Sequence, residues 1–301
     1  MILHNDKDNF ELLINATSEF YNVSKAIIEK DYYITLLLKE LATRIPHLIF
    51  KGGTSLSKCF KIIDRFSEDI DITLAKENCT ASYKKRLKKT IIEVCDELNL
   101  KILNKDETRS RRSYNCYKVD YKAKYGYEGI NNLLLVETVF IVKSFPVVIK
   151  NATSMIYDYL KDNDRLDIVK HYLLEPFTIN VQTLDRTLID KVYAICDYML
   201  KNKIDKHSRH IYDLSRLISF VKLDENLKEL INLVREDRKK DLKCFSAQDY
   251  VNINFLLNQV IYTKCYENDY INNTEKLLSK KVTYDEAIKT IQYIIDSKIF
   301  E

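Results

Sequence analysis

The chain has few of the residues that interrupt helices. Its 301 residues include four glycines, three prolines and no tryptophan, whereas glycine and proline usually reach about 7% and 5% of a globular protein. So few helix breakers predict a helix-rich chain with short connections. No apolar run approaches the roughly 20 residues of a membrane span, and the N-terminus lacks the basic-then-apolar pattern of a signal peptide. A membrane protein is therefore not expected.

The seven cysteines form no recognisable pattern. Their number is odd and no pair has the CxxC spacing, so the sequence predicts neither a disulfide framework nor a zinc site. Reduced thiols favour a cytoplasmic location. Hydrophobic residues make up 46% of the chain and charged residues 31%, which is typical of a soluble globular protein. The net charge of +4 permits an anionic partner without requiring one.

Hydrophobic periodicity divides the chain into an α/β part, residues 1–175, and a mainly helical part, residues 176–301. Residues 10–41 have helical spacing in two pieces, and Ser24 is the expected N-cap of the second piece. Further helices are predicted at residues 54–63, 83–98, 184–200, 207–221, 225–240 and 284–297. Strands are predicted at residues 48–50, 70–74, 117–125, 133–142 and 177–181.

The end of the first predicted strand favours phosphate binding. Gly52 and Gly53 follow the strand directly, and Thr54 begins the next helix. Backbone N–H groups at the positive end of a helix suit phosphate oxygens, and glycine lets the backbone approach closely. The hydroxyl groups of Thr54 and Ser55 are candidate additional donors.

Three acidic residues on predicted strands have the chemistry of a metal site. Asp69 and Asp71 are two residues apart on one strand, so their side chains project to the same face. Carboxylates that close repel each other, and a divalent cation between them relieves the repulsion. Glu137 interrupts an apolar strand and is the candidate third ligand of a two-Mg²⁺ arrangement. The alternatives are an exposed strand end for Asp69 and Asp71, and a structural ion pair with Lys or Arg for Glu137.

These motifs resemble those of the AbiEii/AbiGii toxin family of nucleotidyltransferases, which belongs to the polymerase-β type of fold. KGGTSL at 51–56 resembles the family's phosphate loop, and FSEDID at 66–71 its downstream Asp-x-Asp. RTLIDK at 186–191 and RHIYDL at 209–214 resemble its third and fourth motifs. EKDY at 29–32 resembles the lead-in helix.

The resemblance ends near residue 217 and implies a mixed sheet followed by a helical domain that closes the nucleotide cleft. It also implies functional residues. Lys191 would contact the triphosphate, Asp213 and Arg209 would complete the nucleotide side, and Ser67 would join Gly52, Gly53, Thr54 and Ser55 around the phosphates. Without the family, Lys191 could be a solvated surface lysine. Arg209 and Asp213, four residues apart, could form a surface ion pair, and His210 is interpreted as structural.

Basic groups near tyrosines suggest a nucleic-acid acceptor. Arg109, Arg111 and Arg112 precede the tyrosine-rich strand predicted at 117–125, and five Lys or Arg residues lie within 84–89. Basic and aromatic side chains together suit phosphate contact and base stacking. The strict alternation of the strand favours the opposite interpretation, in which the tyrosines face the core and the lysines face water.

The sequence therefore predicts an enzyme, a nucleotidyltransferase that uses Mg²⁺ and an NTP and modifies an RNA, for which a tRNA end is one candidate. By resemblance it is the toxin of a bacterial toxin–antitoxin or phage-defence pair, with a cognate antitoxin from a neighbouring gene as partner. The alternatives are nucleotidylylation of a protein or small molecule, and a non-catalytic nucleotide-binding protein. The intact Asp-x-Asp argues against the last.

Overall fold

The computed structural model describes residues 1–126 and 131–301 and divides the chain into two units. Unit 1 consists of Met1–Lys61, Phe66–Phe140 and Val147–Val181. Unit 2 consists of Ile62–Arg65, Ile141–Pro146 and Gln182–Glu301. The predicted boundary after residue 175 and the cleft-closing role of the helical part stay predictions.

A seven-stranded mixed sheet dominates unit 1, as the predicted fold class requires. The strands are β1 Leu48–Lys51, β2 Asp69–Leu74, β3 Lys101–Ile102, β4 Tyr114–Asp120, β5 Leu133–Val139, β6 Val147–Ala152 and β7 Phe177–Gln182. Their order across the sheet is β3-β4-β5-β2-β1-β7-β6. β1 is antiparallel to β2 and parallel to β7, β2 is parallel to β5, and β4 is antiparallel to both β3 and β5.

Helices cover the sheet of unit 1. They are α1 Lys7–Tyr21, α2 Lys25–Arg44, α3 Gly52–Ser55, α4 Ala81–Glu97, α5 Met155–Asp162 and α6 Leu166–His171. α2 packs against α1, α4, α5 and β5, and its Ile28, Leu37 and Leu41 are fully buried. Ser24 caps α2 as predicted, because its hydroxyl accepts a hydrogen bond from the Ala26 N–H at 3.3 Å.

Unit 2 is a set of helices. They are α7 Leu184–Leu200, α8 Arg209–Leu217, α9 Glu225–Arg238, α10 Ile253–Thr263, α11 Glu267–Asp269 and α12 Tyr284–Asp296. α7 packs against α8, α9 and α10, and α8 packs against α12. Leu188, Val192 and Ile195 form the buried stripe of α7. Among the described residues, none of the helices combines the length and apolarity that a membrane crossing needs.

Several predicted bounds were wrong. The strand predicted at 117–125 is β4, Tyr114–Asp120, which ends because the Asp120 carboxylate accepts from the Lys122 N–H at 2.8 Å and Lys122 turns to φ 55. The strand predicted at 133–142 ends at Val139.

Two predicted helices also differ. The helix predicted at 54–63 consists of α3 and a π-helical turn, Leu56–Phe60, and Lys61 at φ 56 ends it. The helix predicted at 207–221 consists of α8 and a 3-10 turn, Ile218–Phe220, and the extended backbone of Val221 ends it. Sequence analysis assigned no element to β3, β6, α5 or α6.

Candidate active site

Strands β2 and β5 place the three predicted metal ligands on one face of the sheet. Their parallel pairing sets Asp71 opposite Glu137 and Asp69 opposite Leu135. Because alternate residues of a strand share a face, Asp69, Asp71 and Glu137 project to the same side. All three are partly exposed, while the residues that alternate with them, such as Ile70, are buried. We call these three residues the acidic face.

The acidic face suits a hard divalent cation in its donor chemistry, because carboxylate oxygens are the ligands that Mg²⁺ prefers. Within residues 1–126 and 131–301, however, no three His, Cys, Asp or Glu side chains stand in an arrangement that would hold a metal ion. The backbone register brings the acids together, and side-chain rotation would have to gather their oxygens around one ion. Their role as metal ligands stays a prediction.

Gly52 lies directly against Asp71. A β-carbon at position 52 would lie 2.0 Å from Asp71 Oδ2, and Gly52 has φ +75, a conformation that L side chains rarely adopt. The antiparallel register of β1 and β2 places Lys51 opposite Asp71. The positive φ favours glycine here, and a β-carbon would also force the Asp71 carboxylate to move, so the predicted phosphate loop touches the Asp-x-Asp motif.

The hydroxyl groups of the loop have partners within the protein. Thr54 Oγ1 donates to the Asp69 carbonyl at 2.5 Å and lies 2.9 Å from Ser67 Oγ. Ser55 Oγ donates to the Gly52 carbonyl at 2.8 Å. These contacts fix the loop to the start of β2. The phosphate-binding role assigned to Gly52, Gly53, Thr54, Ser55 and Ser67 stays a prediction.

Lys30 joins the ends of the two strands that carry the acidic face. Its fully buried ammonium donates to Glu68 Oε2 and to the Asn131 carbonyl, each at 2.6 Å. Glu68 precedes Asp69 on β2, and Asn131 precedes β5. Burial lowers the pKa of Lys30, while the charges of Glu68 and Asp69 oppose that shift. The lysine of the EKDY segment therefore positions both strands.

The neighbouring Asp31 fixes the turn that follows the phosphate loop. Its Oδ1 accepts from Lys58 Nζ at 2.6 Å, and its Oδ2 accepts from the Met155 N–H at 2.8 Å. Lys58 lies on the π-helical turn and is almost fully buried. Glu29, two residues before Asp31, accepts hydrogen bonds from the backbone N–H of Lys124. The lead-in helix thus supports the site without contributing a reactive group to it.

Tyr114 is a site residue that sequence analysis missed. Its hydroxyl donates to Glu137 Oε1 at 3.0 Å. Burial raises the pKa of Tyr114, and the negative charge of Glu137 adds to the rise. Burial also raises the pKa of the Cys116 thiol to about 11, with further contributions from Glu137 and Asp69. Burial is the main cause of both shifts, and the negative charge of the acidic face adds to each.

Unit 2 holds a second charged group, in which Asp213 lies between two cations. Arg65 forms a bidentate ion pair with it, with Nε to Oδ1 and Nη2 to Oδ2 both at 2.7 Å. Lys191 Nζ donates to Oδ2 of the same carboxylate. Burial alone would raise the pKa of Asp213, but the charges and hydrogen bonds of Arg65 and Lys191 lower it well below its ordinary value. We call these three residues the ion cluster.

The ion cluster is buried. Asp213 is 0% exposed, and Lys191 and Arg65 are each 5% exposed. The interpretations of Lys191 as a solvated lysine and of Asp213 as part of a surface ion pair were therefore wrong. The roles of Lys191, Asp213 and Arg209 toward a nucleotide stay predictions.

Arg65 was missed because its partner lies 148 residues away in the chain. The only sequence signal was its place, directly before the FSEDID segment.

Most of the tyrosines near the basic residues belong to the core. Tyr117 and Tyr121 are buried, so the interpretation that they face the core is confirmed.

Comparison with known families identifies the family of the chain. The model of the nucleotidyl transferase AbiEii toxin family, a type IV toxin–antitoxin system, matches residues 36–289. The chain belongs to the AbiEii family. The predicted resemblance is confirmed, and with it the enzyme class: an AbiEii toxin is a nucleotidyltransferase that uses an NTP and is paired with an antitoxin. The matched span includes the phosphate loop, the acidic face and the ion cluster.

A solved structure supports the fold of this AbiEii chain. MenT4, a nucleotidyltransferase toxin from Mycobacterium tuberculosis H37Rv, aligns with a TM-score of 0.53 and 16% sequence identity. The alignment covers 94% of this chain and 88% of that chain. At this identity the likeness concerns the fold alone. No curated protein matches the sequence.

Proposed function

We propose that this AbiEii chain is a Mg²⁺-dependent toxin of the cytoplasm that transfers a nucleotidyl group from an NTP to an RNA acceptor, with a tRNA end as the first candidate. The observation that carries the proposal is the register of β2 and β5. It sets Asp71 opposite Glu137, with Asp69 on the same face and Gly52 directly against Asp71. Clustered carboxylates beside a glycine loop suit a metal-bound triphosphate.

In the proposed reaction a hydroxyl of the RNA attacks the α-phosphorus of the NTP. An oxygen–phosphorus bond forms, the bond between the α-phosphorus and the bridging oxygen breaks, and pyrophosphate leaves with the bridging oxygen. The acceptor hydroxyl loses its proton to a carboxylate of the acidic face. Mg²⁺, when bound by Asp69, Asp71 and Glu137, supplies positive charge for the phosphate oxygens. The protein contributes mainly position and electrostatics.

Different residues of the chain would bind the phosphates, hold Glu137 and supply positive charge. Backbone N–H groups at Gly52 and Gly53 would bind phosphate oxygens, and Tyr114 holds Glu137 through its hydroxyl. Lys191 and Arg209 would supply positive charge for the triphosphate. Asp213 is already engaged by Arg65 and Lys191, so its contribution would be to orient Lys191.

The substitution Asp71→Asn tests the proposal. Purified protein is incubated with Mg²⁺, each α-³²P-labelled NTP and total bacterial RNA, and the RNA is separated on a denaturing gel. We expect a labelled RNA band from the wild type and at least a 100-fold weaker band from Asp71→Asn. Asp96→Asn, which changes an exposed carboxylate on α4 of the same unit, is the matched control and should label RNA normally.

The destination of the label separates the competing functions. Label on a protein or on a small molecule, with none on RNA, would replace the RNA acceptor with that class. Binding of NTP without any transfer and without dependence on Mg²⁺ would indicate a non-catalytic role. Normal labelling by Asp71→Asn would remove the metal role of the acidic face.

A further inference from the structure

Positive charge is concentrated in one segment of unit 1. Residues 80–113 contain ten Lys or Arg residues and five Asp or Glu residues. Their surplus of five positive charges exceeds the +4 of the whole chain, so the remainder of the protein is slightly acidic. A net charge placed so unevenly indicates a surface for an anionic partner.

Contacts within the structure join these charges into one surface. Lys88, on α4, donates to the Thr108 carbonyl at 2.8 Å. Lys84, one helical turn earlier on α4, lies 4.7 Å from the ring centre of Phe140. Phe140 in turn donates its N–H to the Ser113 carbonyl at 2.7 Å. Both lysines therefore border the loop between β3 and β4.

That loop carries three arginines, and the side chains of two of them donate to carbonyl groups of the loop backbone. Arg109 Nη1 donates to the Thr108 carbonyl at 3.0 Å, and Arg112 Nη1 donates to the Glu107 carbonyl at 2.9 Å. Arg109, Arg111 and Arg112 are all exposed. We call the five basic residues the basic ridge: Lys84, Lys88, Arg109, Arg111 and Arg112.

In the part of the chain that the structure describes, the charges of the basic ridge have no carboxylate partners. Among residues 1–126 and 131–301, no salt bridge joins Lys84, Lys88 or Arg111 to a carboxylate. The pKa of Lys88 is lowered by burial and further lowered by the positive charge of Arg109. Cations that crowd together at a surface raise the free energy of the protein alone and favour binding of an anion.

Tyr114 connects the basic ridge with the acidic face, because it follows the loop that carries the three arginines and contacts Glu137. The loop enters β4 at Tyr114, a residue that is 44% exposed and whose hydroxyl donates to Glu137 Oε1 at 3.0 Å. An exposed aromatic ring offers a stacking surface for a base. Phosphate-binding charges, a stacking ring and a candidate catalytic carboxylate thus follow one another along a single surface of unit 1.

We propose that the basic ridge binds the phosphodiester backbone of a single-stranded RNA end and that the ring of Tyr114 stacks on a base beside Glu137. This inference rests on the proposed function and names the surface that presents the acceptor. A single strand is specified because a ring can stack only on a base that is not already stacked within a duplex. An acidic peptide would use the charges but would leave Tyr114 unused.

Binding of a labelled oligonucleotide tests the inference without any transfer reaction. Fluorescence anisotropy is measured with a fluorescein-labelled 12-nucleotide oligouridylate in EDTA, over a range of salt concentrations. Each phosphate contact to a single strand contributes about 0.7 to the slope of log affinity against log salt. The double variant Lys84→Gln/Arg111→Gln should therefore lower the magnitude of that slope by about 1.4. Lys161→Gln/Lys170→Gln, exposed on α5 and α6, should leave it unchanged.

Tyr114 has its own pair of variants. Tyr114→Leu removes the ring and should weaken binding about 10-fold, whereas Tyr114→Phe keeps the ring, loses only the hydrogen bond to Glu137 and should bind as the wild type. All these positions are at the surface, and circular dichroism melting should show unchanged folding. Equal binding of a 12-base-pair RNA duplex, or equal competition by polyglutamate, would overturn the inference. So would an unchanged salt slope in Lys84→Gln/Arg111→Gln.

The failure of this inference can be distinguished from failure of the proposed function. If RNA is labelled and Asp71→Asn abolishes labelling, while the ridge variants bind oligouridylate normally, the acceptor surface lies elsewhere and the function stands. If the ridge variants lose binding but no RNA is ever labelled, the RNA-binding surface stands and the transfer reaction is overturned.

Discussion

The two charged groups of the molecule are built in opposite ways. The acidic face of unit 1 has three carboxylates of like charge, partly exposed on neighbouring strands. The ion cluster of unit 2 has one carboxylate between two cations, all of them buried. Both contain residues that the family resemblance marks as functional.

The difference separates a partly exposed group of like charges from a buried group in which opposite charges lie side by side. Like charges on an exposed face oppose folding slightly and gain free energy when a cation arrives. Opposite charges that are buried and hydrogen-bonded lower each other's energy within the protein and lose heavily when one is removed. We therefore expect changes to the acidic face to affect activity and changes to the ion cluster to affect stability.

The largest effect is expected from Asp213→Asn. The substitution leaves the buried cations of Arg65 and Lys191 without their carboxylate, and loss of one partner of a buried ion pair costs about 3–5 kcal/mol. Urea unfolding followed by circular dichroism measures the free energy of unfolding. A loss below about 1 kcal/mol would contradict the structural role of the ion cluster.

A triple variant sharpens this test. Arg65→Met/Lys191→Met/Asp213→Leu replaces the whole ion cluster by apolar groups, and such replacements are often neutral or stabilising. We expect it to recover most of the stability lost in Asp213→Asn. If this folded variant also transfers nucleotides normally, Lys191 has no catalytic role.

In the acidic face, Glu137→Gln should lower activity without lowering stability, the opposite of the expectation for the ion cluster. The amide keeps the shape of the side chain and still accepts the Tyr114 hydrogen bond, but it removes one of three like charges. Transfer to RNA should fall at least about 100-fold, while the melting temperature stays the same or rises. A loss of stability with retained transfer would show that Glu137 is a structural residue.

The acidic face was predictable from sequence because its signals are local. Asp69 and Asp71 share a face by the two-residue period of a strand, and Glu137 stood out as one acid in an apolar strand. The Ser24 cap is equally local, since it depends on residues within one helical turn. Only the pairing of β2 with β5, which sets Asp71 opposite Glu137, required the structure.

The ion cluster was not predictable in the same way. The spacing of Arg209 and Asp213 suggested a surface pair on one helix, whereas the observed partners of Asp213 come from Arg65 and from Lys191 on α7. Nothing in a single sequence reports contacts over such separations. The missed elements β6 and α6 have six residues each, which is too short for a hydrophobic period to show.

Gly52→Ala tests the close contact between Gly52 and the side chain of Asp71. The alanine would adopt an unfavourable positive φ and its β-carbon would collide with Asp71 Oδ2, so we expect a loss of about 2 kcal/mol in unfolding free energy. Gly126→Ala is the matched control, because a β-carbon there meets no atom within 4 Å. Asp71→Ala in the Gly52→Ala background should restore part of the stability. If it restores nothing, backbone strain alone accounts for the loss.

The smallest effect is a pH dependence that arises in unit 2 but not in the ion cluster. Burial and the positive charge of Arg209 lower the pKa of His207 to about 4, and its ring stacks on Tyr198 at 3.4 Å. The unfolded histidine binds its proton near pH 6.5, so the free energy of unfolding falls as the pH drops from 6.5 to 4. Because the ring is only about half buried, we expect a loss of about 1 kcal/mol in unfolding free energy rather than the larger loss that the full pKa shift would give.

Asp213, whose pKa is lowered, loses its contribution to stability only below about pH 4. Urea unfolding at pH 7.5, 6.5 and 4.5 should therefore show a decline that His207→Gln reduces. An equal decline in that variant would show that His207 is not the source and would leave His4 and His210, whose pKa values burial also lowers.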